Sequence, residues 1–129
     1  MTINIPVGMG EFLDKATILA IKAIKITDEA KLANVIKEAT ILKQYASAIP
    51  DSPAIEDEVE KLTFQLKDVN LKLWEVEDKL RECEKESKFD NEFIELARSV
   101  YKLNDERAAL KRRINKLFGS EIVEEKSYQ

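Results

Sequence analysis

Arg107 is the residue whose type least fits its place. It stands in the repeat Phe93, Leu96, Val100, Leu103, Arg107, Leu110, Ile114, Leu117, whose steps of three and four otherwise carry large apolar side chains. A guanidinium on the inner stripe of a helix can hold a phosphate or carboxylate, because its planar fork of N–H donors matches both. Arg98, Lys111 and Lys15 are the cations that could join it in a small-anion site. Alternatively, the side chain lays its stem along the stripe and carries its charge to the edge, or it pairs with Asp68 or another carboxylate. A single polar residue in such a stripe also fixes register and oligomeric state.

The segment around Arg107 is basic. From Arg98 to Lys116 there are seven cations against Asp105 and Glu106. That suits phosphate or nucleic acid, but only Tyr101 is at hand to stack on bases, so single-strand binding has thin support. A neighbouring acidic run, with eleven carboxylates and six cations between Glu56 and Glu86, explains the basic run without a ligand. The net charge of −4 argues against a general nucleic-acid binder.

Catalytic chemistry is poorly served. The chain has no histidine, which excludes His-based acid–base catalysis and His metal ligation. Asp14 and Lys15 are neighbours and project about 100° apart on a helix, so they do not converge on one ligand. Asp14 near a helix start is favoured by the macrodipole alone. No metal-ligand spacing or phosphate loop is present, and no cofactor is implied. Trp74 and Tyr101 read as packing or interface residues, since amphipathic aromatics flank helix seams and interfaces more often than they form substrate platforms. Cys83 sits in a seam as a small apolar filler. It is the single cysteine, which excludes an internal disulfide and suits a reducing compartment. No apolar run approaches the ~18 residues of a membrane span, and no basic-then-apolar leader opens the chain. The expectation is a cytoplasmic protein.

These residues need helices to position them. With three glycines, three prolines and 36% charged residues, a chain of 129 residues reads as one domain of amphipathic helices, 1–129. The first helix spans about 10–26, with a seam of Phe12, Ala16, Leu19, Ala23 and Ile26. The second spans about 28–48, capped by Thr27 or Asp28, with Leu32, Val35, Ala39, Leu42, Ala46 and Ile49 inward. Pro50 stops it, and Ser52-Pro53 signals a restart, serine as cap and proline as first helical residue. The third helix spans about 53–87 on Ile55, Val59, Leu62, Leu66, Val69, Leu73, Val76, Leu80 and Cys83. Its strict 3.5-residue period predicts supercoiling against a neighbour. The fourth, capped by Asp90, spans about 90–118 and ends at Gly119. Short links make sequential helices antiparallel. The fold class is therefore all-α: an antiparallel bundle of about four helices around a long coiled-coil hairpin, with the shorter pair packed along part of it. Residues 2–7 and Glu121-Ile122-Val123 are β-capable, and could be short extended segments that pair with each other.

The run Glu95-Leu96-Ala97-Arg98-Ser99-Val100-Tyr101-Lys102-Leu103-Asn104-Asp105-Glu106-Arg107-Ala108-Ala109-Leu110-Lys111-Arg112-Arg113-Ile114-Asn115 resembles the C-terminal signature of a bacterial and phage family of small helical proteins of unknown function. The stretches Gly10-Glu11-Phe12-Leu13-Asp14-Lys15, Leu73-Trp74-Glu75 and Gly119 to Tyr128 are similar too. The resemblance covers most of the chain. It implies a stand-alone helical protein, and a loose link to surface-polysaccharide gene neighbourhoods, but no activity. At the level of fold alone, the chain is similar to helical chorismate mutases, small all-α dimers. Their first long helix supplies an active-site arginine, and here no arginine precedes Arg81. The leading expectation is a non-enzymatic interaction or assembly protein, a homo-oligomer with a dimer favoured. An anion-binding protein or enzyme using Arg107, Arg98, Lys111 and Lys15 is the alternative, and a weak nucleic-acid binder through 98–116 is a third.

Overall fold

Helix ends in this chain are set where the orphan amides and carbonyls of the terminal turns find partners, in side chains at two N-termini and in the backbone elsewhere. In the computed structural model, which describes residues 1–119 and 125, four helices result: α1 (Met9–Lys25), α2 (Glu29–Gln44), α3 (Glu56–Lys85) and α4 (Asn91–Leu117). Asp28 caps α2 by accepting from the Lys31 N–H, and Asp90 caps α4 by accepting from the Phe93 N–H. Ser87 closes α3 with a left-handed φ of 51°. The Lys88 N–H donates back to the Cys83 carbonyl and the Ser87 N–H to that of Glu84, the paired bonds of a Schellman closure. Gly119, at φ 63°, ends α4.

Two expected boundaries are corrected. Helix α2 stops at Gln44, and Ala46–Ala48 form a 3₁₀ turn. Helix α3 starts at Glu56 rather than Pro53. The Ile55 N–H closes a turn onto the Ser52 carbonyl, so Ser52 lends its backbone and not a capping hydroxyl. Glu56, Asp57 and Glu58 then crowd the first turn, where the positive end of the helix dipole favours them. The link from α2 to α3 is therefore long, residues 45–55, unlike the short links elsewhere.

Helices α3 and α4 form an antiparallel hairpin, and the Arg113–Glu58 pair ties its open end. The core cluster is Leu62, Leu66 and Val69 of α3 with Leu110 and Ile114 of α4. Each such side chain, fully buried, contributes roughly 1.5–3 kcal/mol. Helix α1 lies along the hairpin, antiparallel to α4, and contacts all three other helices. Among the described residues α2 contacts no helix of the hairpin; it packs on α1. The shorter pair is thus stacked in series, with α1 between.

The expected seams of α3 and α4 are inward throughout, and that of α2 holds except at Ala46, which is exposed. The seam of α1 is a correction. Its buried residues are Gly10, Asp14, Thr17, Leu19 and Ile21, while Ala23 is exposed. A helix buried on several sides has no single apolar stripe, so the apolar periodicity found one packed face, with Leu19 buried and Phe12, Ala16 and Ile26 half-buried, and missed the polar one. Residues 1–8 carry no assigned strand, with Ile3 and Ile5 exposed. Their proposed partner, residues 121–123, lies outside the described residues. No helix among those described is long and apolar enough to cross a membrane.

Candidate functional site

The inward stripe of α1 puts a carboxylate where three helices meet. Asp14 is 1% exposed. A bare carboxylate there would cost several kcal/mol, so it must be neutralised and fully hydrogen-bonded. Arg107 of α4 does so side-on: Nε donates to Oδ1 at 3.0 Å and Nη2 to Oδ2 at 2.5 Å. Asn70 of α3 donates from Nδ2 to Asp14 Oδ1 at 2.8 Å and to Thr17 Oγ1 at 2.9 Å. The Thr17 hydroxyl in turn donates to the Asp14 backbone carbonyl. No buried side-chain nitrogen or oxygen among the described residues lacks a partner. The hydrogen bond from Arg107 to Asp14 raises the guanidinium pKa above its ordinary value, so the arginine stays charged.

Near the start of α1 the same two helices approach more closely. Gly8 caps the helix with no side-chain bond of its own. The Gly10 N–H, one of the orphan donors, is taken instead by Asn115 Oδ1 of α4 at 2.7 Å. A Cβ on Gly10 would stand 2.4 Å from the Lys111 carbonyl oxygen, which is why glycine occupies this position.

The four cations singled out as a possible site do not converge. Lys111 pairs with Glu11, one turn from the Arg107–Asp14 pair. Lys15 reaches across to Glu38 of α2 at 2.8 Å. Arg98 pairs with Glu95 of its own helix at 3.4 Å, and the Tyr101 hydroxyl, then Glu95, raise its pKa. The basic run of α4 is answered by α1 and by α4 itself more than by acidic α3, which contributes Glu58 to Arg113. Asp68, considered as a partner for Arg107, is bonded to Lys72. Its place is taken by Asp14, a residue credited in the sequence only with favouring a helix start.

Trp74 is half-buried and borders a cleft of about 520 Å³ among α1, α3 and α4. Arg107, Asn70 and Asn104 also open onto it. Tyr101 is 54% exposed on the outer side of α4. On the far side of the hairpin a second groove, about 400 Å³, is lined by α3 and α4 alone and contains Phe64, which is 75% exposed. Cys83 is buried, and burial pushes its thiol pKa up. The buried role of Asp14, with Thr17, Asn115 and Gly10, is what sequence reasoning missed; the antiparallel register of α3 and α4 does place Arg107 near Val69 and Asn70, and Asn70 shares Asp14 Oδ1 with it. The one signal for them was that Arg107 needed a buried partner.

A family model described as "Family of unknown function (DUF6165)" matches residues 3–129. No curated protein matches the chain, and no solved structure does.

Proposed function

We propose that the chain, which belongs to this family of unknown function over residues 3–129, is a non-enzymatic helical interaction protein that assembles with a second copy of itself. The observation that carries this reading is the groove on the hairpin face away from α1. Its floor is Val69 and Leu110, and Ala109 leaves it shallow. Phe64 stands exposed at its side, where no element among those described covers it. An exposed aromatic beside a small-residue hollow is a knob beside a hole. A two-fold axis through such a patch inserts each Phe64 into the hollow of the other copy.

The rim charges support a self-complementary contact. Asp68 and Glu106 line the groove with a single cation, Arg113, so a two-fold arrangement can set Arg113 of one copy near Glu106 of the other, beyond the exposed pairs that Arg113 and Asp68 make within one chain. The four cations proposed for a small-anion site, Lys15, Arg98, Arg107 and Lys111, each hold a protein carboxylate at 3.4 Å or closer, which weighs against their converging on a plain anion.

Molar mass by light scattering over a range of concentrations tests the proposal. A dimer is expected, and Phe64→Glu is expected to be monomeric with an unchanged helical circular dichroism spectrum. A wild-type protein that stays monomeric to about 100 µM, an affinity weaker than roughly −5.5 kcal/mol, would rule the dimer out.

A further inference from the structure

We infer that the cleft among α1, α3 and α4 is a binding site for a free α-amino acid with an apolar side chain. This inference rests on the cleft alone and is independent of the Phe64 groove, which lies on the other side of the hairpin.

The floor of the cleft carries hydrogen-bonding capacity that the protein does not use. Arg107 spends Nε and Nη2 on Asp14. Its Nη1 has no partner among the described residues, and its side chain remains 30% exposed where it borders the cleft. Asn70 spends its amide nitrogen on Asp14 and Thr17, which leaves its Oδ1 as an unused acceptor. Asn104 spends its amide nitrogen on the Val100 carbonyl, which leaves a second. Since no buried side-chain oxygen or nitrogen among the described residues lacks a partner, these atoms are not sealed from solvent, and all three residues border the cleft, Arg107 and Asn104 also bordering a hollow on the outer side of α4. The floor therefore offers a fixed guanidinium donor next to two carbonyl acceptors.

That pattern selects the ligand class. A carboxylate takes the N–H groups of Arg107, and an ammonium donates to the two amide oxygens. A plain anion such as phosphate would meet both bare carbonyl oxygens, with Glu77 and Asp78 against Arg81 at the border. A plain amine would leave Arg107 unused. A carboxylate and an ammonium carried on one carbon satisfy the whole floor and match its charge. Asp14 positions Arg107 for this from behind, because its bidentate grip fixes the plane of the guanidinium. Above the floor, Ile18, Ile21, Leu73 and the Trp74 ring form apolar walls, which suit a branched or aromatic side chain. The volume, about 520 Å³, falls within the usual range for small-molecule sites.

Trp74 is the single tryptophan and reports directly. The experiment is a titration of the full chain with L-leucine, L-isoleucine and L-phenylalanine, read by Trp74 fluorescence and by amide chemical shifts. At least one is expected to shift the emission and the signals of Asn70, Trp74 and Asn104. Isopentylamine and 4-methylpentanoate, each missing one charge of leucine, are expected to bind about tenfold or more weakly, since each leaves polar floor atoms unpaired. Asn104→Ala removes an acceptor from a half-buried helical position without touching the Asp14 network, and is expected to weaken binding about tenfold with the fold intact. The inference is overturned if none of the three amino acids produces a response at about 10 mM, weaker than roughly −2.7 kcal/mol. It is equally overturned if the amine or the acid alone matches leucine, or if Asn104→Ala binds as well as wild type.

Discussion

Asp14 and Arg107 are chemically a matched pair but are not buried alike: the carboxylate is 1% exposed and the arginine side chain 30%. Removing either partner strands the other, and the cost depends on whether the stranded charge can reach water. Arg107→Leu leaves the carboxylate with Asn70 and no cation, so we expect a loss of about 3–5 kcal/mol in urea denaturation. Asp14→Leu leaves a long side chain that can swing toward the cleft, so its cost should be smaller by about 1 kcal/mol or more. The double variant should recover much of the larger loss, because an apolar pair of similar volume often replaces a buried ion pair without penalty. If Arg107→Leu proves neutral, the pair serves register and carries no net electrostatic burden.

At the scale of elements, α1 is the centre of the fold and α2 its least supported part. Gly10→Ala tests the close approach of α1 to α4. Its methyl would meet backbone oxygen at 2.4 Å and the Asn115 side chain at 2.9 Å, so the helices must part, and thermal unfolding should report a loss of about 1–3 kcal/mol. Among the described residues helix α2 packs on α1 and on no helix of the hairpin, and it buries only Val35 fully. Its amides should exchange with solvent through local opening about a hundredfold or more faster than those of Leu62–Val69 in α3; equal protection would mean that α2 unfolds only with the whole molecule. The same contrast explains what the sequence made legible. Helices α3 and α4 each present one stripe to one main partner, so a 3.5-residue period of Leu, Val and Ile located their faces to the residue. Helix α1 is buried against three neighbours, and its inner stripe is Gly10, Asp14, Thr17 and Ile21. Apolar periodicity cannot reveal a stripe that is half polar. Arg107 was recognisable as an anomaly in its own helix. Its partner lies 93 residues away, and nothing local to Asp14 marks it as buried.

For the molecule as a whole, a dimer through the Phe64 groove makes folding stability depend on protein concentration. The melting temperature of the wild type should rise with concentration, while that of Phe64→Glu should not. The polar stripe of α1 has a further consequence, for the order in which the chain is made and folded. The hairpin closes across a turn of a few residues, but Asp14 meets Arg107 only across a separation of 93 residues. At roughly 5–20 residues per second, synthesis brings Arg107 about 5–20 s after Asp14. Throughout that interval Asp14 lacks the guanidinium that donates to it, so burying that face against the nascent α3 is unfavourable. Burial of that face is therefore expected to wait for the fourth helix, so docking of the first helix should follow closure of the hairpin.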